Sequence, residues 1–536
     1  MKLSYQNANP RNGHESYYIK FDDVSSTATN CVLVDSGEGV DVENDLGEDE
    51  YLSAVLLTHA HADHYQTIAD NVVDGADVLV TPATSSVLET VLSEAEKHAE
   101  APGVDWESIN DAVVPITDWH SITSDIEVRP VPAGHVPGAC GFLIRFEDDR
   151  HIFATGDFTF DRAAGYPALP QRKLSDLGID VLFLNAATSR DGGITESIDT
   201  VLEQAVSGGD VVVSASGMTC VKYVYLLGHI VEELDMSLTV SVAGQAAKIY
   251  ENLGYDVPNV SSFPVYESLD PILEADIAVA GPEKPTEGTS GRLFDEIEDD
   301  HSATLVRVLG SYSRWNESAV CTVNDFKRVN HPSEDELYSF VEELNPVHTV
   351  VQHGETRKWG DEFDFTLTWA DDKTESRVLY SNGDWEPPGW LEEETYEMII
   401  EQNRSKRDMD MSGIFKGDGV EEVLTPELPS PELTDDVDLD GEGVRMEEVR
   451  GRETFELSAS DGEEEELSEG DEEAQTDETS GIQRRLERIE EILDAETHEA
   501  VVVDTHGGDL LLRVEGKAPD DFDLEDGDVV SISIDE

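Results

Sequence analysis

The run THAHADH, from Thr58 to His64, places three imidazoles and a carboxylate directly after the apolar stretch AVLLT and ahead of an amphipathic one. His59 and His61 can converge from a loop on one metal ion, and Asp63 and His64, on the next turn, can serve a second a few Å away. Imidazole and carboxylate are ligands that zinc prefers, and a catalytic zinc takes about three of them, keeping one position open. Two ions need more ligands than this run holds. His135 in PAGHVPGACGFLI lies in a Gly-flanked loop just before a strand, Asp157 in FATGDFTF follows Gly156 at a strand end, and His353 in HTVVQHGET ends another apolar strand. A carboxylate at position 157 can bridge two ions. The carboxyl ends of strands are where sites form in open α/β sheets.

Those positions presuppose the strands. AVLLT (Ala54 to Thr58), DVLVT (Asp77 to Thr81), HIFAT (His151 to Thr155) and DVLFL (Asp180 to Leu184) read as buried strands. DHYQTIADNV and PATSSVLETVLSEAEKHA read as helices, the second opening with Pro82, where proline is tolerated. A second α/β stretch follows through TESIDTVLEQAV, VVVSAS, a helix around Tyr223 to Leu234, and LTVSVA. The fold class is therefore α/β. Residues 408–480 are rich in Asp, Glu, Pro, Ser and Gly and are expected to be a disordered acidic linker, unable to bury enough apolar surface to offset chain entropy. Residues 481–536 predict a short helix, with Ile482, Leu486, Ile489 and Leu493 at a/d-like spacing, and then a small β module around Gly507 and Gly508. That C-terminal module offers a surface for a homodimer or a protein partner.

Charge bears on the partner. The chain has 536 residues, with 118 acidic against 35 basic, a formal net charge of −83. At first sight this excludes a nucleic-acid binder, which is normally basic. The acidity runs through every segment, and lysine is scarcer than arginine. Such a surface suits a cytoplasm at molar salt, where the Debye length is about 3 Å, and the chain reads as halophilic. Apolar residues make up 38 %, enough for real cores. Cys31, Cys140, Cys220 and Cys321 are far apart and form no CxxC pair, so neither a disulfide framework nor a thiolate zinc site is expected. MKLSYQNANP has no hydrophobic signal core, and no run reaches the roughly 18 apolar residues of a membrane span, so a cytoplasmic protein is expected.

THAHADH together with His135, Asp157 and His353 resembles the metallo-β-lactamase superfamily, an αββα sandwich holding two zinc ions. Three further stretches are similar to its β-CASP branch, the ribonuclease J and cleavage-and-polyadenylation-specificity-factor-like nucleases. PTEGTSGRLF (Pro285 to Phe294) is similar to the GTxGRxL loop, VNDFKRVNHPSEDEL to the FSxHAD-type segment with His331 at its histidine, and VVQHGE to the strand-end HGE. The resemblance covers about residues 1 to 400. It implies a metallo-β-lactamase domain in two parts, 1–190 and 346–407, with an inserted α/β β-CASP cap over 191–345.

Carried over by position, the resemblance implies that His59, His61 and His135 hold one Zn2+ and Asp63, His64 and His353 the other, with Asp157 bridging. Asp35 in VLVDSG would orient the metal loop by hydrogen bonds, and His331 would act as general acid. Asn185 stands where the family has a Glu or Asp; an amide there orients His331 without raising its pKa as a carboxylate would. SASGMTCVKY also lacks the family's GRxQE-like run. Arg292, Arg314, Lys327, Arg328, Arg357 and Lys358 fall in or beside the motif segments and are the candidate phosphate contacts. The implied activity is a two-zinc hydrolase cleaving RNA phosphodiester bonds. Its alternatives are a DNA exonuclease of the same fold, or a weakly active or non-catalytic RNA-processing paralogue acting as a binding module, which Asn185 permits.

Overall fold

A computed structural model describes residues 1–9, 15–22, 28–97, 106–147, 150–189, 193–310, 319–327, 330–354, 356–359, 363, 366–369, 373–387, 396–401, 405 and 437–450, and the backbone of 499–506, 509–515 and 529–533. It falls into two units, residues 1–462 and 463–536.

Among the described residues, the first unit holds three sheets. Strands β1 (Lys2–Asn7), β2 (Tyr17–Asp22), β3 (Thr29–Val34), β4 (Glu50–Leu56), β5 (Asp77–Val80) and β6 (Val113–Pro115) join β19 (Ser376–Ser381) and β20 (Asp384–Trp385) in the order β20-β19-β1-β2-β3-β4-β5-β6. Strands β7 (His120–Thr123), β8 (Ile126–Pro132), β9 (Cys140–Phe146), β10 (Arg150–Ala154) and β11 (Val181–Asn185) join β18 (His348–Gln352) in the order β18-β11-β10-β9-β8-β7. The third sheet is wholly parallel, in the order β14-β13-β15-β12-β16-β17. Its strands are β12 (Val211–Ser214), β13 (Val240–Ala243), β14 (Val260–Phe263), β15 (Ile277–Ala280), β16 (Thr304–Leu309) and β17 (Thr322–Lys327).

The continuous apolar runs are explained by burial on both faces of the first two sheets. Val32, Val34, Ala54, Leu56 and Leu79 point into a core shared with Phe142, Ile144, Ile152 and Phe183 of the second sheet. Their neighbours Leu33, Val55, Val78 and Val80 point the other way, towards the helix Pro82–Lys97 through Val87 and Leu88. Period-2 alternation thus sorts each strand between an inter-sheet core and a helix layer. Tyr17 stacks on Phe183 across the sheets at 4.5 Å between ring centroids. The third sheet is not a separate island. Val213, Val240, Val242 and Val279 on one of its faces belong to the same apolar cluster as Leu182 and Leu184 of β11.

Two expectations changed. DHYQTIADNV forms two short helices, Ala62–Tyr65 and Ile68–Asn71. They break at Thr67, whose N–H donates to Ser36 O at 2.9 Å and whose hydroxyl donates to Gly37 O at 2.9 Å. Loop contacts replace the continuing helix ladder. Within the 408–480 stretch expected to be disordered, residues 437–450 are ordered, ending in the helix Met446–Arg450 with Leu439, Val444, Met446 and Val449 buried. Sparse apolar residues at the right spacing suffice there because the rest of the unit supplies the partner surface.

The second unit contains β21 (Glu499–His506), β22 (Asp509–Glu515) and β23 (Val529–Ser533), paired antiparallel in that order. The helix expected around 482–493 lies outside the described residues. Among the described residues no helix is long and apolar enough to cross a membrane. All four cysteines are buried and free.

His348 opens β18 fully buried, and its hydrogen bonds define a neutral ring. Nε2–H donates to Leu379 O at 3.2 Å, and Nδ1 accepts from the Thr368 hydroxyl at 2.8 Å. Burial lowers its pKa to about 3. The unfolded chain, with an ordinary value near 6.5, binds a proton that the folded chain refuses. This contribution is therefore complete above pH ~6.5 and is lost as pH falls towards 3, at about 1.4 kcal/mol per unit. His348→Asn should remove about that slope between pH ~6 and ~4.5 in denaturant unfolding. An unchanged slope contradicts a buried neutral ring.

Candidate metal centre

The predicted ligands gather where the carboxyl ends of the first two sheets meet. Asp35 follows β3, His59 follows β4, His135 lies between β8 and β9, Asp157 follows β10, Asn185 ends β11, and His353 follows β18. Three of these, Asp35, His135 and His353, have left-handed backbone, with φ of 55°, 55° and 46°. Non-glycine residues hold such angles at a cost of about 1–3 kcal/mol each, and such strain concentrates at functional sites. Gly156 has φ 56°, and a Cβ there would lie 2.7 Å from Thr58 Cβ. Glycine is what lets Asp157 approach the THAHADH loop so closely.

Among the described residues two groups of donor atoms result, each within 4.8 Å: His59, His61, His135 and Asp157, and Asp63, His64 and His353. His61 Nδ1 lies 2.8 Å from His59 Nε2 and 3.1 Å from His135 Nε2. Asp157 Oδ2 stands 3.5 Å from both His135 Nε2 and His64 Nε2, and Oδ1 is 2.9 Å from His353 Nδ1. Its carboxylate thus faces both groups. Asp63 Oδ2 lies 4.0 Å from His353 Nε2 and is largely exposed.

Outer hydrogen bonds assign the tautomers. Buried Asp35 accepts from Thr58 N at 2.9 Å, from the Thr58 hydroxyl at 2.9 Å and from His64 Nδ1 at 2.8 Å. With its proton committed to Asp35, the Thr58 oxygen accepts from His59 Nδ1 at 3.0 Å. His135 Nδ1 donates to Asn330 O at 2.7 Å. All three rings therefore turn Nε2 lone pairs inward, towards one another and the Asp157 carboxylate. Acceptors facing acceptors in a buried site repel unless positive charge lies between them. The donor set fits a pair of divalent cations of the zinc type, with ring N–H groups anchored behind.

The electrostatics agree with that demand for positive charge. Burial, reinforced by His64 and His135, pushes His59 well below the usual histidine value. Burial also opposes charge on His64, but Asp35, Asp157 and Asp63 outweigh it and hold its pKa well above the usual value. Asp157 lifts His353 to about 9. Burial works against charge on Asp157, yet His353, His331 and His64 keep its carboxyl well below the ordinary range. Burial raises Asp35 against the pull of His64 and Thr58.

His331 is half-buried, with its ring centroid 4.8 Å from that of His135. The next turn is fixed by Ser189 N donating to Pro332 O and by a Ser333–Glu336 capping box on the helix Glu334–Leu344. Asn185 directs its amide to Asp157, Nδ2 donating to Oδ1 at 3.2 Å, where the motif comparison implied a partner for His331. Thr58 and Asn330 carry no motif signal of their own, although each adjoins a motif histidine, His59 and His331. Lys222, in the SASGMTCVKY segment, carries no motif signal either; it is buried and lines a small cavity beside His135 with Thr219, Tyr223 and Asn330.

The expected phosphate contacts are less gathered. Arg292 is exposed, its guanidinium 4.9 Å from the Tyr266 ring centroid. Lys327 is exposed at the end of β17, and Lys358 pairs with Glu334. Arg314, Arg328 and the side chain of Arg357 lie outside the described residues.

Residues 30–207 match the beta-lactamase superfamily domain. DNA cross-link repair 1A protein of Gallus gallus is 31 % identical over 138 residues, which is 26 % of this chain and 13 % of that protein. The protein of the same name from Mus musculus is 25 % identical over 231 residues, 42 % of this chain and 20 % of that one. The chain thus spans a fifth or less of either relative's length. A protein of unknown function from Enterococcus faecalis V583 shares the fold, with a TM-score of 0.52 and 14 % identity, over 71 % of this chain and 100 % of that one. Residues 30–207 are thus similar to the beta-lactamase superfamily domain, and the α/β fold extends well beyond them.

Asp35→Asn keeps the shape of the side chain but loses the charge that orders Thr58 and His64. It should weaken zinc affinity by about 10–100-fold, in titrations of chelator-stripped protein. Unchanged affinity would remove Asp35 from the supporting network.

Proposed function

We propose that this chain is a two-zinc nuclease of β-CASP type that hydrolyses phosphodiester bonds, with single-stranded RNA as substrate, in a halophilic archaeal cytoplasm. The carrying observation is the inward convergence of His59, His61, His64 and His135 on Asp157 beside His353. His59, His61 and His135 would hold one ion, Asp63, His64 and His353 the other, and Asp157 would touch both. Bound zinc supplies an activated water at neutral pH and neutralises charge on the phosphoryl oxygens.

The remaining steps belong to the chain. Asp35 and Thr58 keep His64 and His59 in the ligating tautomer, and Asn185 holds the bridging carboxylate by its amide. An amide at 185 leaves Asp157 fully ionised, where a second carboxylate would raise its pKa by like-charge repulsion. His331, beside His135, is placed to protonate the leaving oxygen. Substrate contact is short-range, made by Arg292, Lys327 and Lys358 and by Arg314, Arg328 and Arg357. A net charge of −83 repels a polyanion at distance, so binding needs salt that screens the surface.

A second reading, DNA as the polymer, is favoured by the similarity to the two DNA cross-link repair 1A proteins. One assay separates them: end-labelled single-stranded RNA and DNA with Zn2+ or Mn2+ in molar KCl. RNA should be cut, and His64→Ala should reduce cutting to background. His331→Ala should lower kcat by about 10²–10⁴-fold while leaving metal content unchanged. Protein that binds two zinc ions and cuts neither polymer contradicts the nuclease reading and favours a binding module.

A further inference from the structure

The ordered segment 437–450 is joined to both halves of the first unit. On the metal-bearing half, Glu442 is 1 % exposed, and its two carboxylate oxygens accept from Ala164 N at 2.7 Å and Gly165 N at 2.6 Å. Ala164 and Gly165 have φ of 53° and 88°, consecutive left-handed residues that aim both N–H groups at this one carboxylate. Arg162 N donates to Gly441 O at 2.7 Å beside them. Burial pushes the Glu442 carboxyl up, while Lys222, the two N–H groups and Arg162 pull it back down.

On the other half, Arg445 N donates to the hydroxyl of Thr195, in the helix Gly193–Val206, at 3.0 Å. Arg450 pairs with Glu233 at the end of the helix Gly217–Glu233. The same 162–165 loop also receives Lys222 Nζ at Arg162 O, 3.1 Å, and Tyr255 Oη at Ala164 O, 2.6 Å. It runs on from Asp157 and braces the His135 turn, since Thr159 N donates to Ala133 O at 2.9 Å and Gly134 N to Pro167 O at 3.1 Å.

We propose that residues 437–450 are an intramolecular clasp: an acidic peptide of this chain whose Glu442 fills a dedicated carboxylate site on the 162–165 loop, fixing the helices Gly193–Val206 and Gly217–Glu233 to the metal-bearing half. The site's ligand class is the side-chain carboxylate of an acidic peptide, and its occupant is the chain's own. Apolar burial of Leu439, Val444, Met446 and Val449 supplies the adhesion, and Glu442 supplies the register. The segment has five carboxylates against two arginines and docks on a strongly acidic protein. Within the segment Glu448 also pairs with Arg445 at 2.7 Å, and docking tightens as salt screens the remaining carboxylates from the acidic surface. The clasp holds whatever polymer the cleft takes and whether or not it cuts.

Hydrogen exchange on the full chain in molar KCl tests this without reference to activity. Amides of 164–165 and 441–449 should be protected in the native chain. Glu442→Ala should accelerate them at least tenfold, with faster exchange at the start of Gly193–Val206 and around Gly134, while β3 and β4 stay unchanged. Thr195→Val, which breaks only one side of the clasp, should accelerate 443–449 alone, and it serves if the first variant unfolds globally. Unprotected exchange of 441–449 in the native chain overturns the proposal. So does a Glu442→Ala protein whose 164–165 amides are unchanged, or whose segment releases with no effect on the helix or Gly134.

Discussion

Three buried imidazoles point their lone pairs at one another and at a buried carboxylate, and the rest of the first unit is arranged around the need to make that tolerable. Left in an apolar interior without positive charge, such acceptors would push apart or titrate. The hydrogen bonds behind the rings remove the alternatives. Asp35 takes the Thr58 and His64 protons, Thr58 takes that of His59, and the Asn330 carbonyl takes that of His135. The outward nitrogens are thereby spoken for, and only the inward ones remain for chemistry.

Holding these groups requires the ends of two sheets and a segment from outside both. The sheets bring Asp35, His59, Asp157, Asn185 and His353 to one edge because each ends a strand or follows one within three residues. Asn330, which anchors His135, follows β17 of the third sheet. The parallel sheet is therefore coupled to the geometry of the donor groups. Their shared apolar cluster, from Leu184 through Val201 to Val213, makes the coupling mechanical.

Much of this was readable in the residues. Buried strands betray themselves by unbroken apolar runs, and β5 and β10 agree with the runs read there to within a residue. The histidines and Asp157 were legible as a set because few residue types can ligate a metal, and all seven stand in the two groups that could hold one. Three things were hidden. The Asn185 bond to Asp157 depends on which of two neighbours an amide meets, a matter of angles. The break at Thr67 depends on a loop thirty residues away in sequence. The order of 437–450 was masked by its composition, since a segment that cannot build a core of its own can still complete another's. Composition reports what a segment can do alone. Its environment decides the remainder.

The central claim is that the inward-facing nitrogens and Asp157 exist to hold two cations. Crystals of the protein grown with zinc and measured on either side of the zinc absorption edge test it most directly. The account predicts two anomalous peaks, one among His59, His61 and His135 and one among Asp63, His64 and His353, with Asp157 against both. Absence of zinc density from this cluster, with ions bound only at surface carboxylates, would contradict it.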